Sequence, residues 1–309
     1  MTNTWLGTQA MPVSAASAVS IGNFDGVHSG HRRILQRLRE EADARGLKTT
    51  VIVFEPQPNE FFARKHGREA VARLTPLRDK LSLLRQTGCA DNIWVLRFNH
   101  HFSQLPPETF IRDFLIERLG TRYLLVGDDF RFGKDRAGGF ELLAAQPEFV
   151  TERTPSILIA GERASSTAVR QALAEGRLKN AEQILGHGYA LSGRVKHGKK
   201  LGRTLGVPTA NVHLPPHRYA PNGVFVVSAE SRFGQHAGVA SFGVNPTTDL
   251  GLQQKLEVHL LDFNGDLYRE RLTVRFLHKL RDEAAFDSLD ALKEQIFADI
   301  QAARAFHRL

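Results

Sequence analysis

Cysteine is nearly absent from this chain: Cys89 is the only one among 309 residues. No intrachain disulfide can form, and a reducing cytoplasm is the expected setting. A lone thiol with no activating feature around it reads as packing, not as a nucleophile. Long apolar runs are missing too. None reaches the roughly 18 residues that a bilayer-spanning helix needs, so no membrane partner is expected. Residues 1–18 carry no basic cluster ahead of an apolar stretch, so no secretory leader is expected. There are no repeats or low-complexity tracts.

Acidic residues are missing from one stretch. Residues 190–229 hold no Asp or Glu, but they carry Arg194, Lys196, Lys199, Lys200, Arg203 and Arg218. The whole chain has a formal net charge of +8, which suits an anionic partner, either nucleic acid or a phosphate-bearing small molecule. Gly193, Gly198, Gly202 and Gly206 are interleaved with those charges, and glycines let a backbone wrap closely round a ligand. Stacking aromatics are not interleaved with them, so no nucleic-acid partner is expected. The rest is ordinary for a soluble globular protein, with 42% hydrophobic and 24% charged residues. A chain of this length exceeds what one core usually supports, so two domains are expected.

Ala18–Gly22 and Thr49–Glu55 are short apolar runs of strand type. Between them Ile34, Leu35, Leu38 and Ala42 recur on a helical period that Gly46 stops. That strand–helix–strand unit predicts parallel strands with a right-handed crossover. Further strands are predicted at Asn92–Arg97, Tyr123–Gly127 and Ser156–Ala160, with helices at 107–119 and from Ser165 or Ser166 to about Glu175. Repeated βα units imply a doubly wound, mostly parallel sheet of Rossmann-like type, binding ligands beyond the carboxyl ends of its strands. A short helix ends at Leu185-Gly186, and the pattern then changes. Strands are predicted at Gly223–Glu230, Ala237–Phe242, Lys255–Phe263 and Leu267–Phe276, the last two flanking the hairpin signal Asn264-Gly265. Ser288 then caps a helix with Leu289, Leu292, Ile296 and Ile300 on one stripe. This half reads as a small antiparallel barrel or sandwich with a C-terminal helix. The predicted domains are 1–186 and 187–309.

Chemistry concentrates first in Gly22-Asn23-Phe24-Asp25-Gly26-Val27-His28-Ser29-Gly30-His31, between a parallel strand and a helix start. Free N–H groups and the helix dipole favour phosphate there. His28 and His31, three apart, can direct both rings from one face as donors to the phosphates of ATP. If each charge-assisted bond strengthens by about 1.5–3 kcal/mol in the transition state, the pair supplies about two to four decades of rate. Positioning and electrostatics suffice for in-line attack at phosphorus, without a covalent intermediate. Ser165-Ser166-Thr167-Ala168-Val169-Arg170 offers hydroxyls, N–H groups and a guanidinium for a triphosphate, although an ordinary helix cap would look the same. In Gly127-Asp128-Asp129-Phe130-Arg131-Phe132-Gly133, the aromatics could flank a planar ring.

These strings, with Phe54-Glu55-Pro56, resemble the bacterial bifunctional riboflavin kinase/FAD synthetase family. The second half extends the resemblance through Gly193-x-Val195-x-x-Gly198-x-x-x-Gly202-Arg203, Pro208-Thr209-Ala210-Asn211, Pro221-Asn222-Gly223-Val224, Glu257-Val258-His259-Leu260 and Asp266-Leu267-Tyr268. The resemblance implies an N-terminal FMN adenylyltransferase and a C-terminal riboflavin kinase built on a six-stranded Greek-key barrel. ATP would be the co-substrate, riboflavin, FMN and FAD the substrates and products, and Mg²⁺ the cofactor of both steps. It also implies site residues. His28, His31 and Arg170 would serve ATP, with Gly22, Asn23, Phe24, Asp25, Gly30, Ser166, Thr167, Gly193, Gly198 and Gly202 on the nucleotides. Asp129, Phe130 and Phe132 would hold flavin, Thr209 and Asn211 the magnesium-nucleotide, and Glu257 would be the kinase base. Thr209 and Asn211 share a face if extended, as do Glu257 and His259, with Leu256, Val258 and Leu260 opposite. Three positions depart from the family pattern: Arg269 stands where Gly is usual, Asn245 where Arg is common and Gln57 where His is common.

Overall fold

The computed structural model describes residues 2–8, 10–13, 16–155, 158–159, 162–198, 206–244 and 254–309. Lys199, Lys200, Gly202, Arg203 and Asn245 lie outside them. The chain forms two compact units: 1–71 with 80–164, and 72–79 with 165–309.

The first unit is a six-stranded parallel sheet in the order β1-β4-β3-β2-β5-β6. Its strands are β1 (Asn3–Leu6), β2 (Ser17–Ile21), β3 (Lys48–Glu55), β4 (Asn92–Arg97), β5 (Thr121–Gly127) and β6 (Val150–Thr154). β2 and β3 are apolar and buried almost throughout because helices cover both faces of such a sheet. One face packs Leu35, Leu38 and Ala42 of α1 (Ser29–Ala44). A second cluster joins Val19, Ile52, Trp94 and Val126 of the sheet to Phe110, Ile111, Phe114 and Leu115 of the helical stretch 107–118.

Two strands of this sheet are additions to the sequence reading, as Ala190–Lys196 and Ala210–His213 are in the second unit, and one predicted strand is corrected. β1 and β6 lie at the sheet edges and were not predicted. Of Ser156–Ala160, only 158–159 is described. Leu158–Ile159 pairs antiparallel with Glu162–Arg163 and does not join the sheet, and Leu158 is exposed, so no burial draws it there.

The second unit holds a closed antiparallel barrel. β7 (Leu158–Ile159) and β8 (Glu162–Arg163) precede it in the chain. Its strands are β9 (Ala190–Lys196), β10 (Ala210–His213), β11 (Gly223–Ser231), β12 (Gly234–Val244), β13 (Gln254–Leu260) and β14 (Arg271–Arg281), in the order β10-β13-β12-β11-β14-β9. The hairpin predicted at Asn264-Gly265 is therefore corrected, because β13 pairs with β10 and β12 while β14 pairs with β11 and β9. Bonds of Arg269 N–H to the Val195 carbonyl and of Val195 N–H to the Glu270 carbonyl hand the chain to β9 instead. Barrel closure outweighs a local turn preference. The C-terminal helix (Leu289–His307) is capped by Ser288, whose Oγ accepts from Ala291 N–H at 3.1 Å. Ile300 and Ala303 pack on Val224, Val226 and Val239, whereas Leu289 is exposed and off the stripe.

Residues 72–79 form a strap within this unit. Arg73 N–H bonds the Arg218 carbonyl at 2.7 Å, Tyr189 donates to the Leu74 carbonyl at 2.9 Å, and Ser192 N–H donates to Asp79 at 2.8 Å. The helices 166–174 and 178–185 also belong to this unit.

Candidate active sites

The loop after β2 is tightly turned. Phe24 and Val27 hold positive φ angles of 46° and 43° around Gly26 at 77°. Left-handed backbone costs a non-glycine residue about 1–3 kcal/mol, so the surroundings must impose it. Phe24, Asp25 and Val27 are accordingly buried. The turn delivers His28 as the N-cap of α1, where its Nδ1 accepts the His31 N–H at 3.3 Å. Because Nδ1 accepts, neutral His28 carries its proton on Nε2, which remains a donor. The two imidazoles stack with centroids 3.6 Å apart. Burial above all, then the charges of His28 and Lys80, hold the pKa of His31 well below its ordinary value. Its Nδ1 is buried with no hydrogen-bond partner among the described residues. A Cβ at Gly30 would stand 3.1 Å from the His28 ring and 3.2 Å from the Ala164 carbonyl, so a side chain there would push the ring or the carbonyl by a few tenths of an ångström.

Beside this loop, in the same unit, is a cavity of 620 Å³ walled by Phe54, Phe98, Phe102, Phe110, Phe130 and Phe132, with Asn23 of the loop in its lining. Lys65, Arg131 and Arg136 bring positive charge to its lining, with the carboxylate of Asp135 among them. Phe130 and Phe132 stack at 5.6 Å, and Phe132 exchanges two backbone bonds with Gly138. A Cβ at Gly138 would come within 2.7 Å of the Phe132 ring. Asp129 does not line this cavity; its mostly exposed carboxylate lies 3.9 Å from Arg163. Gln57 is buried as the N-cap of the helix Pro58–Lys65, in a reciprocal capping box with Glu60.

In the second unit a 260 Å³ cavity is bounded by Thr209, Ser241, Glu257 and His259 on one side and by Phe286, Leu292, Ile296 and Ile300 on the other. Registration places Asn211 opposite Glu257 on one flank and Ser241 opposite it on the other. β13 alternates as expected, with Leu256, Val258 and Leu260 buried and Glu257 and His259 half-exposed. Thr209 lines the cavity; Asn211 does not. Arg281 clasps the buried Asp299 through Nε at 3.1 Å and Nη2 at 2.8 Å, tying β14 to the C-terminal helix at the cavity wall.

Two of the glycines have packing explanations. A Cβ at Gly198 would fall 2.4 Å from the Asn211 carboxamide, and one at Gly193 would fall 2.4 Å from the His213 carbonyl. Ser165, not Ser166, caps its helix, accepting from Ala168 N–H at 3.2 Å. Ser166, Thr167 and Arg170 belong to the second unit, where Arg170 Nε donates to the Ala72 carbonyl at 2.6 Å. Sequence reasoning missed the wall residues Phe98 and Phe102 and the Arg281–Asp299 pair. The signal for the first was the density of phenylalanine near residue 100; the second is eighteen residues apart with no periodic signature.

Comparison with known proteins bears on both halves. A family model described as FAD synthetase matches residues 11–168, and one described as riboflavin kinase matches residues 185–307. The bifunctional riboflavin kinase/FMN adenylyltransferase of Escherichia coli (strain K12) is 47% identical over 296 residues, covering 94% of this chain and 93% of its own. That of Haemophilus influenzae is 43% identical over 293 residues, covering 94% of each. A crystal structure named as a macrolide-efflux protein from Streptococcus pneumoniae superposes with a TM-score of 0.77 at 30% identity, covering 95% of each chain.

Proposed function

This chain belongs to the bifunctional riboflavin kinase/FMN adenylyltransferase family, and from that premise we propose which of its residues carry each reaction. As a family member it is a transferase that phosphorylates riboflavin to FMN and adenylylates FMN to FAD with ATP. We assign adenylyl transfer to residues 1–186 and phosphorylation to residues 187–309, and we place the enzyme in the cytoplasm, where a single free thiol and ATP are at home.

In the adenylyl transfer, the 5′-phosphate oxygen of FMN attacks the α-phosphorus of ATP. One P–O bond forms, the α–β bridging bond breaks, and the charge leaves on pyrophosphate. His28, with Nε2–H as donor, and His31 meet that charge. Catalysis of this kind is positioning and electrostatics. The observation that carries the assignment is the double membership of Asn23, which belongs to the phosphate loop and to the lining of the aromatic cavity. An isoalloxazine between the Phe130–Phe132 pair and the facing phenylalanines would present its phosphate tail toward the loop. Titrating full-length enzyme with FMN by flavin fluorescence tests this. Phe132→Ala should weaken FMN binding by about tenfold, the scale of a lost aromatic stack; unchanged binding would place the flavin elsewhere.

In the kinase, the riboflavin 5′-hydroxyl attacks the γ-phosphorus, its proton passes to the Glu257 carboxylate, and ADP leaves. By donor chemistry the Thr209 hydroxyl, which lines the cavity, fits Mg²⁺, and the Asn211 carboxamide oxygen, a hard ligand outside that lining, would reach it only from the cavity's edge. When bound, Mg²⁺ would neutralise charge on the nucleotide phosphates. Phe286, Leu292 and Ile296 offer the apolar wall for the flavin ring.

A further inference from the structure

The ladder between β10 and β13 pairs Val212 with Leu256, Asn211 with Glu257 and Ala210 with Val258, and stops there. The next pair in this register would be Thr209 with His259. Pro208 precedes it and has no N–H to give a ladder. A side chain takes over: His259 Nδ1 donates to the Pro208 carbonyl at 2.8 Å. The His259 backbone is fixed on its other flank, where it stands opposite Val239 of β12. Its ring is thus a strut between a rigid strand and the segment carrying Thr209. Thr209, Glu257 and His259 all line the same cavity.

We propose that His259 is a positioning residue of the kinase: by clamping the Pro208 carbonyl it holds the Thr209 hydroxyl at a fixed place relative to the Glu257 carboxylate. The proposal rests on the assignment of Thr209 to the nucleotide and of Glu257 to the riboflavin hydroxyl. The acceptor is a carbonyl, so the proton sits on Nδ1 whether the ring is neutral or charged. Asparagine puts an amide N–H close to that Nδ1 position; leucine fills similar space with no donor.

The test is steady-state riboflavin phosphorylation by full-length His259→Leu, His259→Asn and Thr209→Val, with adenylylation of supplied FMN as the folding control. His259→Leu should raise the KM for ATP or lower kcat by about tenfold, the scale of one hydrogen bond lost from an ordered site, with riboflavin affinity unchanged. His259→Asn should recover most of that loss. A purely structural role would not show the asparagine rescue or the selective effect on the nucleotide. Kinetics within twofold of wild type for His259→Leu, or an asparagine variant as impaired as the leucine one, would overturn the proposal. A Thr209→Val enzyme with wild-type kinetics would overturn the underlying nucleotide assignment and the clamp with it. Loss in both Thr209→Val and His259→Leu, with asparagine rescue, supports it.

Discussion

The His28 and His31 rings stack 3.6 Å apart with 20° between their planes, and α1 itself sets the stack by using His28 Nδ1 as its N-terminal cap. Two rings in contact resist carrying two charges, and burial adds to the effect. The lowered pKa of His31 follows from that, with burial as the larger cause and His28 and Lys80 next.

A pH dependence should result. The folded pKa of His31 lies below its unfolded value of 6.5, so below that pH the unfolded state binds the proton more readily. The stability associated with a neutral His31 is fully present above pH 6.5 and is lost as pH falls from 6.5 toward the folded pKa. Thermal unfolding of ligand-free enzyme should therefore show a smaller acid-side decline in His31→Gln than in wild type. Identical profiles would remove His31 as the source. Binding of ATP should draw a proton onto the pair, which calorimetry in two buffers of different ionisation enthalpy would record.

Glu257→Gln keeps the shape of the side chain and removes its basic oxygen. Riboflavin phosphorylation should fall by about two to four decades in kcat, with flavin binding little changed and supplied FMN still adenylylated. Turnover within a few-fold of wild type would leave Glu257 as a strand-surface residue.

The strap 72–79 makes a stability prediction. Leu74 is fully buried, and Tyr189 bonds its carbonyl. Leu74→Ala should destabilise the barrel unit by about 2–5 kcal/mol, seen as faster native-state hydrogen exchange at β11 and β14 amides. A fragment starting at 187 would lack the packing that residues 72–79 and 165–186 give this unit. Unchanged exchange would show the strap to be dispensable.

Most of the architecture was legible because its signals are local. The apolar runs of β2 and β3, the period of α1 and the Ser288 cap each lie within one segment. β1 has four partly exposed residues, and β6, Val-Thr-Glu-Arg-Thr, carries charge as sheet edges do, so neither shows an apolar run. β9, Ala-Leu-Ser-Gly-Arg-Val-Lys, breaks its apolar positions with glycine and basic residues, and β10 has only four residues, so neither shows an apolar run; Asn264-Gly265 misled because pairing in a closed barrel is decided far along the chain. The histidine loop was readable as one string, and the Phe130–Phe132 pair likewise. Phe54, Phe98 and Phe102 come from separate elements and meet only after folding. Asp129 sat in a suggestive string, yet a charged side chain beside two phenylalanines turns outward to Arg163.

One chain carries two chemistries on separate residues. The direct measurement is chromatography of flavins formed by full-length His28→Ala/His31→Ala enzyme from riboflavin, ATP and Mg²⁺. FMN should accumulate at the wild-type rate while FAD formation falls by about two to four decades. FAD at the wild-type rate, or FMN formation lost in parallel with FAD, would contradict it.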